Sequence, residues 1–240
     1  MARNDLKPND PTSWKRAYRS LYYQDAPEPD DPKLERGKLA LLVIDVQNAY
    51  LSRVDPATLD ASARASYDAW TPFHLRMHDT VLPTIERLLE RFRYEGHEVL
   101  YARIACQTED GRDRSLSQKL PGWNNLLLPK DSQSAQIADR IAPRKDEIVV
   151  TKTTDSALTG TNLRLMLTNL GVSQVVCCGI FTDQCVSSTV RSLADESFSV
   201  IVVEDGCAAA SQPLHESELA IINMIYCHVM KSDELFEYLP

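Results

Sequence analysis

The sequence lacks the features that mark membrane-spanning, secreted and nucleic-acid-binding proteins. No segment approaches the 18 unbroken apolar residues that indicate a membrane-spanning helix. The first residues, MARNDLKPNDPTSW, have no apolar core of the kind found in signal peptides. Lysine and arginine total 26 against 34 acidic residues, and the net charge of −8 argues against nucleic acid or an anionic membrane as a partner. We therefore expect a cytoplasmic protein.

The sequence also lacks the cysteine and histidine spacings of a metal site. No C-x-x-C pair and no Cys/His pairing of a zinc site is present. His74 and His78 are four residues apart, but no acidic residue completes a ligand set with them. We expect neither a metal nor another cofactor. In a cytosolic protein the thiols stay reduced, and buried cysteines usually serve as small core residues, an interpretation that we apply to Cys106, Cys177, Cys178 and Cys227.

Length and composition predict one domain preceded by an arm. A chain of 240 residues buries roughly 70 % of its unfolded surface in a single core. Residues 1–37 are rich in proline, aspartate and arginine and cannot form a core alone. Their aromatic residues, Trp14 among them, predict an extended arm that packs on the domain or on a neighbouring subunit; a disordered tail is the alternative. Residues 38–240 are predicted to form the folded domain.

Five short apolar runs within the domain predict buried strands. They read LALLVID (39–45), EVLYARI (98–104), EIVVT (147–151), QVVCCGI (174–180) and SVIVVED (199–205). The runs are almost continuously apolar, as in strands covered on both faces. Helical stretches at 80–96, 160–171, 185–197 and 215–229 separate them or follow the last one, with Gly96 and Gly171 at helix ends. This alternation predicts an α/β fold with a mostly parallel sheet and helices on both faces.

Three polar residues should meet at one edge of this sheet. In such folds ligands bind beyond the carboxyl ends of the strands. Asp45 ends the first strand, Lys152 follows the third, and the turn after the fourth strand leads to Cys185. A thiol at a helix N-terminus is expected to have a lowered pKa, and Lys152 adds a further cation. Asp45 could then act as the general base for attack by Cys185 on a carbonyl, with backbone N–H groups holding the oxyanion.

The segments around these residues resemble the isochorismatase-like cysteine hydrolases. The similar segments are ALLVIDVQNAY, VTKTTDSALTGTNL, CCGIFTDQCVSSTVRSLAD and VVEDGCAAAS with His215 nearby, and their order agrees with the family. The resemblance covers residues 38 to about 232. It implies a three-layer αβα sandwich with a mostly parallel six-stranded sheet, catalytic roles for Asp45, Lys152 and Cys185, and a homo-oligomer, either a dimer or a tetramer. It also implies a cis peptide bond between Ile180 and Phe181, with an oxyanion hole made by the backbone N–H groups of Phe181 and Cys185.

The resemblance also narrows the reaction. Isochorismate hydrolysis in that family cleaves a vinyl ether without a cysteine nucleophile, so Cys185 favours a small amide or ureido substrate, cleaved through an acyl-thioenzyme. We expect Tyr50, Arg103, Gln107 and Thr182 to bind it, with Arg103 holding a carboxylate or a urea oxygen. Two alternatives stay open: an ether hydrolase in which Cys185 is a bystander, and a non-catalytic member of the fold.

Overall fold

The structure is a computed structural model that describes residues 11–121 and 125–240. Six strands form its central sheet: β1 (Leu39–Ile44), β2 (Glu98–Ile104), β3 (Ile148–Lys152), β4 (Gln174–Ile180), β5 (Ser199–Ala208) and β6 (His228–Met230). Their order is β3-β2-β1-β4-β5-β6, and every neighbouring pair is parallel. Helices flank the sheet, so the predicted α/β architecture with a parallel sheet is confirmed.

The strand order reverses at β1, which pairs with β2 on one side and with β4 on the other. Every residue of β1 is buried, because helices cover both faces of this central strand. In an open parallel sheet, such a reversal leaves a crevice at the carboxyl ends of the two strands that diverge from it. The ends of β1 and β4 therefore define the expected binding site.

Of the α-helices in the described residues, four overlap the predicted helical stretches, with differences at their ends, and the other four were not predicted. The helices are α1 (Asn48–Leu51), α2 (Ala61–Ala69), α3 (Thr71–Arg76), α4 (Leu82–Glu95), α5 (Leu163–Asn169), α6 (Ser187–Asp195), α7 (Gln212–Ile222) and α8 (Ser232–Phe236). Gly96 stops α4 in the left-handed conformation, and Gly171 follows α5 in the same conformation, as predicted. Within the described part of the chain, no helix is long and apolar enough to cross a membrane.

The predicted C-terminal helix 215–229 was wrong in its second half. Helix α7 ends at Ile222, Met224 has a φ of 65°, and the chain continues into β6. Pairing with β5 buries Val229 in the sheet, and the backbone N–H of Val229 donates to the side chain of Asn223 at 3.1 Å. A three-residue strand gives too short an apolar pattern to be separated from the helix before it.

The described part of the N-terminal arm packs against the C-terminal end of the same chain. The Trp14 ring is buried, its backbone N–H donates to Glu234 Oε1 at 2.8 Å, and its indole N–H donates to Tyr238 Oη at 3.2 Å. The Asn223 side chain donates to the carbonyl oxygens of Ala17 and Tyr18 at 3.1 Å each. The division of the chain at residue 37 stays a prediction.

Candidate active site

The ends of three strands bring Asp45, Lys152 and Cys185 together. Asp45 directly follows β1 and adopts a φ of 55°, a conformation that aspartate tolerates better than most residues. Its backbone N–H donates to the carbonyl oxygen of Ala102 on β2 at 2.8 Å, which fixes the turn off the strand. Lys152 is the last residue of β3, two strands away, and its long side chain crosses the end of β2 to reach Asp45.

Asp45 and Lys152 form a buried ion pair. Lys152 Nζ lies 2.7 Å from Asp45 Oδ2 and also donates to the carbonyl oxygen of Thr154 at 3.0 Å. Both side chains are shielded from solvent. Removing two charges from water is costly, and the pairing offsets that cost only while both partners are present. The two residues therefore constrain each other's position beside Cys185.

Burial sets the protonation of this group. It raises the pKa of the Cys185 thiol well above its usual value, with a further rise from the Asp45 carboxylate, and Lys152 offsets only part of this. Burial also raises the pKa of Asp45 against the opposing effect of Lys152. Burial lowers the pKa of Lys152, but Asp45 and Cys185 outweigh it and raise the pKa overall. At neutral pH the lysine is therefore charged, and Cys185 is a protonated thiol beside a carboxylate of increased basicity.

This protonation corrects the expectation of a lowered thiol pKa. Cys185 does not open an α-helix: it lies in a π-helical turn, Thr182–Val186, and α6 begins two residues later at Ser187. The thiol is 6 % exposed, so the loss of hydration outweighs the positive end of the helix.

Cys185 and Asp45 line a small cavity, of about 20 Å³, which has room for about one water molecule. Its apolar walls include Tyr50 and Phe181, whose rings meet edge to face with 5.5 Å between their centres. Phe181 also packs against Phe73 at 5.1 Å. A cavity this tight favours a small reacting group and excludes bulk water.

The turn between β4 and Cys185 is compact. The peptide bond between Ile180 and Phe181 is cis, at the position that the sequence resemblance implies. The carbonyl oxygen of Phe181 accepts from the backbone N–H groups of Gln184 and Val186. Gly179 has a φ of 123°, and a Cβ there would collide with the carbonyl oxygen of Ile44. Glycine is thus required where β4 passes β1 on its way to Cys185.

A buried polar network supports this turn from behind. Thr182 Oγ1 lies 2.8 Å from His215 Nδ1, and His215 Nε2 lies 2.9 Å from Arg76 Nη2. A guanidinium can only donate, so Nε2 accepts and Nδ1 carries the hydrogen that is donated to Thr182. Arg76 also pairs with Glu204 at 3.0 Å. His215 therefore joins the turn to Arg76, a member of the network that the sequence did not indicate.

Of the expected substrate-binding residues, only Tyr50 lines the cavity. Arg103 donates to Thr151 Oγ1 at 3.1 Å and to Gln136 Oε1 at 2.6 Å. Its neighbour Ile104 lines the cavity, and since side chains alternate along a strand, Arg103 faces the other way. The orientation of Arg103 does not favour the expected contact with the substrate, which stays a prediction.

Gln107 and Thr182 do not line the cavity either. Gln107 is exposed beyond the end of β2, and its backbone N–H donates to Asp113 Oδ2 at 2.7 Å. Thr182 is fully buried and contacts His215. A role for either residue in binding the substrate stays a prediction.

The structure adds two residues to the cavity wall, Asp155 and Gln184. Asp155 Oδ1 lies 3.8 Å from Cys185 Sγ, within reach of a weak thiol hydrogen bond. The sequence offered one indication of Asp155, namely its position three residues after Lys152 in the same similar segment. Gln47, buried beneath the site, donates to the carbonyl oxygen of Ile104 and accepts from its N–H, both at 2.9 Å. This pairing fixes the loop after β1 against β2.

Potential metal ligands do not converge in the described residues. Across residues 11–121 and 125–240, no three histidine, cysteine, aspartate or glutamate side chains are grouped so that they could hold a metal ion. His74 instead packs against Phe73, with 5.2 Å between ring centres. Burial lowers the pKa of its imidazole.

Comparison with known proteins agrees with this architecture. The model of the isochorismatase domain matches residues 39–234. The chain is 29 % identical to N-carbamoylsarcosine amidase from Arthrobacter sp. over 180 residues, 72 % of this chain and 67 % of that protein. It is 28 % identical to ureidoacrylate amidohydrolase RutB from Pantoea ananatis over 201 residues, 77 % of this chain and 74 % of that protein.

Solved structures share the fold. The crystal structure of an isochorismatase family protein from Desulfovibrio vulgaris superposes with a TM-score of 0.67 at 25 % identity, over 83 % of this chain and 97 % of that one. The family match spans β1 to α8 and includes Asp45, Lys152 and Cys185. The chain is a hydrolase of the isochorismatase family.

Proposed function

We propose that the protein is a cysteine hydrolase that cleaves the C–N bond of a small polar amide or ureido compound. The observation that carries this proposal is the Cys185 thiol at a tight cavity, beside the buried pair of Asp45 and Lys152. The names of the two amidase relatives support an amide as substrate. The arrangement supplies a nucleophile, a base and a fixed positive charge at one point.

In the first half of the reaction, Asp45 takes the proton of the Cys185 thiol as the sulfur attacks the carbonyl carbon. A base is needed because burial raises the pKa of the thiol, and the raised pKa of Asp45 makes its carboxylate a stronger base. The carbonyl oxygen becomes an oxyanion, for which the backbone N–H groups of Phe181 and Cys185 are the proposed donors. Lys152 keeps its positive charge and compensates the negative charge carried by Asp45 and Cys185.

In the second half, Asp45 returns the proton to the leaving nitrogen. The C–N bond breaks, ammonia or an amine departs, and an acyl thioester remains on Cys185. Water then attacks the thioester while Asp45 takes one of its protons. The C–S bond breaks, the acid product leaves, and the sulfur recovers its proton from Asp45. No redox change occurs in these steps.

The experiment compares ammonia release by the wild type and Cys185→Ser. The panel contains nicotinamide, biuret, triuret, ureidoacrylate, maleamate and N-carbamoyl amino acids. Cys227→Ser is the matched control, because Cys227 Sγ donates to the carbonyl oxygen of Ile222 and a serine hydroxyl can keep that bond. We expect release by the wild type and the control, and a loss of about 10³-fold or more in Cys185→Ser.

Two other results would contradict the proposal. Release that persists in Cys185→Ser, or in Cys185→Ala, would make the thiol a bystander and would contradict the acyl-thioenzyme route. Silence of the folded wild type on every compound would contradict hydrolysis of small amides of these classes.

A further inference from the structure

Asp155 is a carboxylate at the cavity to which no cation of the described residues is bound. It is half-buried, and of the described groups only the Cys185 thiol donates to it, across 3.8 Å. By contrast, Asp45 is paired with Lys152, whose Nζ lies 2.7 Å from Asp45 Oδ2. A carboxylate accepts several hydrogen bonds, and a thiol is a weak donor. Asp155 therefore retains most of its capacity for a ligand that carries N–H groups.

Asp155 also borders a wider groove outside the cavity. Asp155 and Gln184 line both, so the groove of about 650 Å³ adjoins the cavity at the thiol. The other charged residues of the groove are Asp183, Glu218 and Arg191, which makes three carboxylates, one guanidinium and a net charge of −2. Arg191 is bound to Glu218 at 2.8 Å.

Cations within reach of the site are already paired. Lys152 is bound to Asp45, and the guanidinium of Arg103 is bound to Thr151 and Gln136 outside the cavity. Of the described residues that line the cavity or the groove, Arg191 is the one cation, and Glu218 neutralises it. A carboxylate on the substrate would thus meet Asp155 and Asp183 without a free counter-charge.

We propose that Asp155 selects substrates whose non-reacting end carries an ammonium or another cationic nitrogen, and disfavours those that end in a carboxylate. The proposal rests on the proposed function, since it places the scissile carbonyl at Cys185 and the remainder of the substrate along Asp155 towards the groove. A charged N–H donor would complete the hydrogen bonding of Asp155 in a site with little water. The chain's net charge of −8 would also favour the approach of a cation.

The test uses three ureas of similar size and different charge: (2-aminoethyl)urea, propylurea and N-carbamoylglycine. Turnover is measured as ammonia release by the wild type, and binding is measured by calorimetry on Cys185→Ser protein, in which turnover is blocked. We expect the ammonium compound to be preferred over the carboxylate by about 100-fold in kcat/KM, and the same order in binding.

Asp155→Asn removes the charge and keeps the shape. We expect it to reduce the preference for ammonium over carboxylate by about 10- to 100-fold, for turnover and, in the Cys185→Ser background, for binding. Asp183→Asn is the matched control, because Asp183 lines the groove but not the cavity. Its effect on the preference should be about threefold or less, since Asp183 does not line the cavity at the thiol.

The two proposals fail in different ways. Equal or tighter binding of N-carbamoylglycine, or an order unchanged by Asp155→Asn in folded protein, would overturn the role of Asp155 even if Cys185 hydrolyses all three ureas. If wild-type turnover is absent or independent of Cys185 while the ammonium compound still binds through Asp155, the proposed function fails and the selectivity stands.

Discussion

Two aspartates flank the Cys185 thiol, and their surroundings differ on every count. Asp45 is 1 % exposed, follows a central strand and is held by Lys152 at 2.7 Å. Asp155 is half-buried, lies in the loop between β3 and α5, and has the thiol as its nearest donor. The same functional group is thus the proposed base on the inner side of the cavity and the proposed recognition group on the outer side.

The two proposed roles fall on parts of the fold that are held in different ways. A residue at the end of a central strand is fixed by the sheet, because hydrogen bonds on both sides hold its backbone. A residue in a connecting loop can change without disturbing those strands. The proposed reaction depends on the inner side, and the proposed substrate preference depends on the outer side.

The largest expected difference between the two aspartates is catalytic. Asp45→Asn removes the proposed base and should lower kcat by about 10²- to 10⁴-fold on any substrate that the wild type hydrolyses. Steady-state kinetics with (2-aminoethyl)urea and propylurea, beside Asp155→Asn, makes the comparison. The effect of Asp155→Asn should depend on the charge of the substrate. If Asp45→Asn retained a tenth of the wild-type kcat, Asp45 would not be the base, and the proposed difference in role between Asp45 and Asp155 would be lost.

The next difference concerns stability. Lys152→Met leaves the Asp45 carboxylate buried without its partner, which should lower the free energy of unfolding by about 3–5 kcal/mol. Asp155→Asn breaks no ion pair and should change it by about 0.5 kcal/mol or less. Urea denaturation followed by circular dichroism measures both. Equal losses would show that Asp155 is also part of the structural core of the site.

The smallest expected effect is on the reactivity of the thiol. Asp45 raises the pKa of Cys185 and Lys152 lowers it, beneath the larger rise caused by burial. Asp45→Asn should therefore speed alkylation by iodoacetamide below the thiol pKa, and Lys152→Met should slow it, each by about three- to tenfold. Rates at pH 7 to 10, measured by intact-protein mass spectrometry, check the two signs. Changes in the same direction would contradict the assigned protonation.

Much of the inner side could be predicted from the sequence, for a physical reason. Continuous apolar runs locate buried parallel strands, and the carboxyl ends of such strands meet at one edge. That placed Asp45, Lys152 and Cys185 near one another before any contact was known. The pKa of Cys185 could not be obtained in this way, because it depends on how completely the thiol is buried.

The outer side was largely missed, because it depends on side-chain direction and loop conformation. Arg103 was expected in the cavity, but the alternation along β2 gives that place to Ile104. Asp155 lies in a loop whose path no periodicity encodes. The short strand β6 was absorbed into a predicted helix for a related reason, since three residues carry no distinct period.

The central claim is that Cys185 becomes acylated during turnover, and rapid-quench mass spectrometry tests it most directly. Wild-type enzyme is mixed with the best substrate of the panel, quenched in acid within milliseconds to seconds, and digested. We predict a mass increase equal to the acyl group on the peptide that contains Cys185, which disappears as substrate is consumed. Full turnover with that peptide unmodified at every time, or an adduct on another residue, would contradict the account.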